Sequence, residues 1–173
     1  MITPNQRAQV PWDVTWLRVA DIMADRSRCD RDQVGAVLVT DDNRVLSSSY
    51  NGAPATYAGD TGESCATWCE RAKLVPTGEA GDLSYEDCPA QHAEVNCLLR
   101  APAVERGIST TLYVSTVPCL SCAKFIGTCH TTKGITRVVA TLGGIGDVYR
   151  PVDEATRFMK WCGIKVHLTH LSW

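Results

Sequence analysis

Two short clusters, His92-Ala93-Glu94 and Pro118-Cys119-Leu120-Ser121-Cys122, constrain this chain more than any other feature of it. One imidazole and two thiolates make a three-ligand set for zinc, and three protein ligands leave the fourth tetrahedral position to water. A fold that uses them must bring the two clusters together. A carboxylate two residues after the histidine reaches that water without being a ligand, which makes Glu94 the candidate proton shuttle. Each part alone says little. His-Ala-Glu arises by chance, and Cys-x-x-Cys also marks redox pairs and halves of structural zinc sites. Together, with Pro118 directly before the first cysteine, they predict a hydrolytic zinc site of His92, Cys119 and Cys122.

The surrounding pattern supplies elements to carry these residues. Trp12, Trp16, Val19, Ile22 and Met23 recur at helical steps and predict an amphipathic helix over 12–27, its tryptophans in the core. Val34 to Val39 is a nearly continuous apolar run, as in a buried strand; Asp41-Asp42-Asn43 turns the chain, and Arg44 to Ser49 returns as a second strand. A helix is predicted from Pro89 to a stop at Pro102, and a third strand at Leu112-Tyr113-Val114. Pro118 suits the first turn of a helix running from Cys119 to about His130, since its missing N–H costs nothing there. Ile135 to Thr141, Val152 to Trp161 and Ile164 to Leu168 complete a strand–helix–strand alternation. The expectation is one α/β domain over residues 1–173, with a cysteine-containing loop insert at about 53–89.

Bulk properties narrow the partners. A net charge of −2 without a lysine- or arginine-rich run argues against an extended nucleic-acid partner, which phosphate neutralisation would normally drive. A small anionic substrate needs only one or two local cations. No stretch approaches the roughly 18 apolar residues of a membrane span, and residues 1–7 lack the apolar core of a secretory signal. Nine cysteines in such a chain read as metal ligands and core thiols of a cytoplasmic protein. His130, His167 and His170 have no motif around them and read as surface or packing residues.

Both ligand clusters fall at the N-terminal ends of predicted helices, where partial positive charge favours thiolate over thiol at Cys119 and Cys122. A metal held there lowers the pKa of its water toward neutrality, and Glu94 then serves as the acid and base.

The combination His-x-Glu with Pro-Cys-x-x-Cys is the known signature of zinc-dependent nucleobase deaminases. The likeness extends further. Ser27-Arg28-Cys29, Val34-Gly35-Ala36-Val37, Tyr50-Asn51-Gly52-Ala53-Pro54, His92-Ala93-Glu94-Val95-Asn96, Thr111-Leu112-Tyr113-Val114 and Gly134-Ile135-Thr136-Arg137-Val138-Val139 follow in the order of the deoxycytidylate deaminase family. Over roughly residues 12–170 the chain resembles that family. The resemblance implies a three-layer α/β/α cytidine-deaminase fold on a central five-stranded mixed sheet. It further implies hydrolysis of dCMP to dUMP and ammonia, and a homo-oligomer, hexamer or dimer. By position, Asn51 is implied to bond the sugar 3′-hydroxyl and Arg28 to hold the 5′-phosphate. The chain departs from the family's pattern at 97–103 and 142–147; Arg100 and Tyr149 are candidates to replace the groups missing there. The competing readings are the same chemistry on another cytosine nucleotide or nucleoside, a polynucleotide editor, and a non-catalytic zinc module.

The segment between Tyr50 and His92 raises a second expectation. Gly59, Gly62, Gly78 and Gly81 leave it little apolar surface to offset its ordering entropy. Cys65, Cys69 and Cys88 lie within it and Cys29 precedes the first strand; four thiolates make a closed structural zinc site. Family members with a cysteine-rich insert here resemble this layout and carry a second, structural metal. A non-cysteine ligand in place of Cys69, and reduced buried thiols without metal, are the alternatives.

Overall fold

The computed structural model of the chain describes residues 9–55, 57, 62–70, 73, 88–142 and 152–170. Tyr149 and three of the four loop glycines noted above, Gly59, Gly78 and Gly81, lie outside them.

The elements are α1 (Trp12–Ala24), β1 (Gly35–Thr40), β2 (Val45–Tyr50), α2 (Ala93–Arg100), β3 (Thr110–Val114), α3 (Leu120–Lys133), β4 (Ile135–Thr141), α4 (Val152–Trp161) and β5 (Lys165–Thr169). They build a five-stranded mixed sheet of order β2-β1-β3-β4-β5. β1 is antiparallel to both neighbours, while β3, β4 and β5 run parallel.

β1 is apolar at nearly every position because the sheet is covered on both faces. Ala36 and Leu38 join one core with Cys97 and Leu98 of α2, Ala123 and Ile126 of α3, and Met159 of α4. Val37 and Val39 point the other way and, with Tyr113 and Val139, meet Leu17 and Ala20 of α1. This is the three-layer arrangement anticipated from the sequence.

Two local expectations differ from the structure. The fully enclosed side of α1 is Leu17, Ala20 and Ala24, whereas Trp12 is 51% exposed and Ile22 63% exposed. Trp12 instead stacks on Trp16 at the rim, and Trp16 donates from Nε1 to Asn43 Oδ1 at 3.1 Å. The cause is close approach: a Cβ at Gly35 would lie 1.8 Å from the Ala20 carbonyl oxygen, so small residues, not large ones, define the contact. Gly35→Ala should therefore force α1 off the sheet and cost about 1–3 kcal/mol or more, as overpacking does. Thermal denaturation reads it directly, and an unchanged midpoint would contradict the contact.

The second difference is the start of α2. Gln91 exchanges two backbone hydrogen bonds of 3.0 Å with Gly52, which keeps the chain extended until His92 caps the helix. At its other end α2 stops at Arg100, just before Pro102, as proline requires.

Candidate metal centre

The site gathers at one edge of the sheet. Because β1 is antiparallel to β2 and β3, the start of β1, the end of β2 and the end of β3 share that edge. Ser115, just past β3, ties them: its N–H donates to the Gly35 carbonyl and its Oγ accepts from the Gly35 N–H, both at 3.0 Å. The Gly52–Gln91 bridge then brings the first turn of α2 beside the first turn of α3.

His92 is the N-cap of α2 and Cys119 the N-cap of α3; Cys119 Sγ accepts the Cys122 N–H at 3.5 Å. His92 Nδ1 stands 3.2 Å from Cys122 Sγ and 3.6 Å from Cys119 Sγ. Tetrahedral zinc with ordinary Zn–N and Zn–S lengths sets its N and S ligands about 3.6 Å apart, so the three donors fit that ion. Among the described residues they are the only group of three or more potential ligand atoms within 4.8 Å of one another.

The thiols titrate as a pair. The Cys122 side chain, hydrogen-bonding Cys119, is the main cause that holds Cys119 down to about 3, with His92 adding to it. The same bond, burial and the nearby Glu94 carboxylate push Cys122 up. Glu94 itself is 2% exposed, in the first turn of α2. It shares a small cavity of about 40 Å³ with His92, Asn51, Arg31 and Thr116.

Asn51 is placed at this cavity, with its side-chain amide also organising the entry to β1. Its Oδ1 accepts from the Val34 N–H and its Nδ2 donates to the Asp32 carbonyl, both at 2.8 Å. One amide hydrogen and one lone pair are left over. Arg28 does not line the small cavity. It lines a larger adjoining one, about 410 Å³, with Arg31, Arg100, Tyr50 and Trp68. Arg31 borders both. The sequence pattern singled out Arg28 and passed over Arg31, three residues on in the same loop; the loop's path is what separates them.

The four remaining cysteines of interest border the larger cavity as two close pairs. Cys29 hydrogen-bonds Cys65, and Cys69 hydrogen-bonds Cys88. Burial, the largest cause, pushes Cys65 up to about 12, and it raises Cys88 as well. Cys65 opens a single 3₁₀ turn, Cys65–Thr67, pinned to the loop before β1. The Cys65 N–H donates to the Arg28 carbonyl at 2.9 Å, and Asp30 accepts from the Ala66 N–H at 3.1 Å and from the Ser64 hydroxyl.

Comparison with known proteins agrees with this geometry. The sequence matches the cytidine and deoxycytidylate deaminase zinc-binding region over residues 10–141. It is 41% identical to the deoxycytidylate deaminase of Mycobacterium phage D29 over 129 residues, 74% of this chain and 92% of that one. The deoxycytidylate deaminase of Saccharomyces cerevisiae is 32% identical over 90% of this chain, which spans only 44% of the yeast protein. In fold, the chain is similar to the dCMP deaminase of cyanophage S-TIM5 solved with dCMP and dUMP. There the TM-score is 0.62 at 20% identity, covering 92% of this chain and 99% of that one. With its three metal donors assembled at the ends of α2 and α3, the chain belongs to the cytidine and deoxycytidylate deaminase zinc-binding family.

Proposed function

We propose that the chain hydrolyses dCMP to dUMP and ammonia, with zinc held by His92, Cys119 and Cys122. The observation that carries this reading is the enclosed Glu94 carboxylate beside a donor set built for zinc, in a cavity continuous with an arginine-lined one. When bound, the metal supplies Lewis acidity that brings the pKa of a water near neutrality. Glu94 takes one proton from the attacking water and passes it to the ring nitrogen, then takes the second proton of that same water from the adduct's hydroxyl and passes it to the amino group, which departs as ammonia.

The remaining groups orient the nucleotide. Asn51 offers its spare N–H and lone pair to the 3′-hydroxyl. Arg28, with Arg31 between the two cavities, grips the 5′-phosphate, for which a guanidinium is geometrically matched. The same resemblance supports a homo-oligomer, dimer or hexamer, in the cytoplasm. Among the described residues no helix is long and apolar enough to cross a membrane.

We infer also that Cys29, Cys65, Cys69 and Cys88 hold a second, structural zinc. Its support is that two thiol pairs from separate segments border one cavity, although no three of these four thiols lie within 4.8 Å of one another as the donors of the first site do.

Ammonia release measured over dCMP, dCTP, CMP, deoxycytidine and cytosine tests the substrate. dCMP should be the best of the five, and Arg28→Ala should raise KM for dCMP at least tenfold, the loss expected for one charge-assisted phosphate contact. Equal turnover of deoxycytidine and dCMP by the unmodified protein would remove the phosphate-binding role.

A further inference from the structure

Among the described residues Thr116, Thr141 and Thr156 have buried hydroxyls without a hydrogen-bond partner, and of the three only Thr116 borders the cavity of His92 and Glu94. It is 3% exposed, and its Oγ1 is closed to solvent and makes no hydrogen bond. Unsatisfied buried hydroxyls are uncommon, because each keeps the desolvation penalty with nothing to offset it. Valine has nearly the same shape without that penalty, so a core position here would be better served by valine. Val117, the next residue, shows that the loop accepts one.

Its neighbours place the residue beside the site. Thr116 lies three residues before Cys119 in the loop from β3 to α3, and borders the cavity of His92, Glu94 and Asn51. At about 40 Å³ the cavity holds little more than a water, so an entering pyrimidine presses against this wall. Hydrolysis beside His92 and Glu94 places the attacked carbon, and the amino group it carries, in the same cavity that Thr116 borders. That group is a donor before reaction and is replaced by a carbonyl acceptor after it. A hydroxyl can accept from the first and, by rotating, donate to the second.

We propose that Thr116 is a substrate-contacting residue, its buried hydroxyl hydrogen-bonding the amino-bearing edge of the base. This rests on the reading of the site as a cytosine-nucleotide deaminase. It adds a specificity element: a ring lacking a hydrogen-bonding group at that edge would leave the hydroxyl unpaired and bind poorly.

The test is Thr116→Val, with Thr116→Ala and Thr116→Ser as a second pair differing from each other only by the hydroxyl. Steady-state kinetics on dCMP, zinc content and thermal midpoint are measured for each. The valine variant should keep its zinc and a midpoint at or above that of the parent, yet lose about ten- to a hundredfold in kcat/KM, the cost of leaving one buried partner unpaired. Serine should retain most activity and alanine should not. Alanine and serine variants of equal activity would overturn the assignment, and so would a valine variant with a lowered midpoint and undiminished kcat/KM. Unmodified protein that releases no ammonia from dCMP would instead overturn the deaminase reading, and this inference with it.

Discussion

Glu94→Ala should leave a folded, zinc-loaded protein that deaminates dCMP on the order of 10²–10⁴-fold more slowly, the usual loss for one general acid–base group. The loss should lie at the upper end, because a single carboxylate is assigned every proton transfer of the reaction. Zinc should stay because the ligand set is His92, Cys119 and Cys122, whose donors lie together without any contribution from Glu94. Glu94→Gln is the informative companion: it keeps the side-chain volume in an enclosed position and removes only the ionisable group. Both variants need metal analysis beside the rate. Activity within tenfold of the parent, at equal zinc, would sink the assignment.

Cys88→Ser is the other substitution with a large expected effect. Purified protein prepared without chelator should carry two zinc ions per chain, and this variant one. The consequence should be structural as well as analytical. The thiols come from the loop before β1, from the Cys65–Thr67 turn, from Cys69 and from the strand-like approach to His92, so one ion would fasten separate segments of the chain to one another. Structural zinc in small peptides is worth about 10–16 kcal/mol of apparent binding energy. Even a fraction of that, lost at Cys88, should lower the thermal midpoint by many degrees. It should reduce dCMP turnover too, since Cys88 lies four residues before His92 and borders the catalytic cavity. One zinc per chain in unmodified protein would rule out the second site.

What could be read from the sequence was whatever rests on local chemistry. Continuous apolar runs mark strands covered on both faces, as in β1, and prolines mark helix limits at Arg100 and before Cys119. The metal donors were legible because their spacing is itself the signal. Matters decided by distant backbone contacts were not legible. The burial of α1 depends on Gly35 meeting the Ala20 carbonyl, a contact that periodicity cannot reveal, and so Trp12 was misplaced while Trp16 does pack against the core. Which arginine borders the catalytic cavity depends on the loop before β1. That loop is fixed by Ser27 Oγ donating to the Asn51 carbonyl at 2.9 Å and Gln33 Nε2 donating to the Ser27 carbonyl at 2.7 Å. Thr116 carries no motif at all; what distinguishes it is a partnerless buried hydroxyl on a residue that borders the cavity of His92 and Glu94.

The most direct measurement is dUMP formation from dCMP by the same preparation before metal removal, after chelator treatment, and after zinc is returned. The account predicts turnover that disappears on stripping and returns fully with about two equivalents of zinc per chain, with dCMP preferred over deoxycytidine throughout. Turnover undiminished in fully stripped protein, or none from dCMP in protein shown to hold zinc at His92, Cys119 and Cys122, would contradict it.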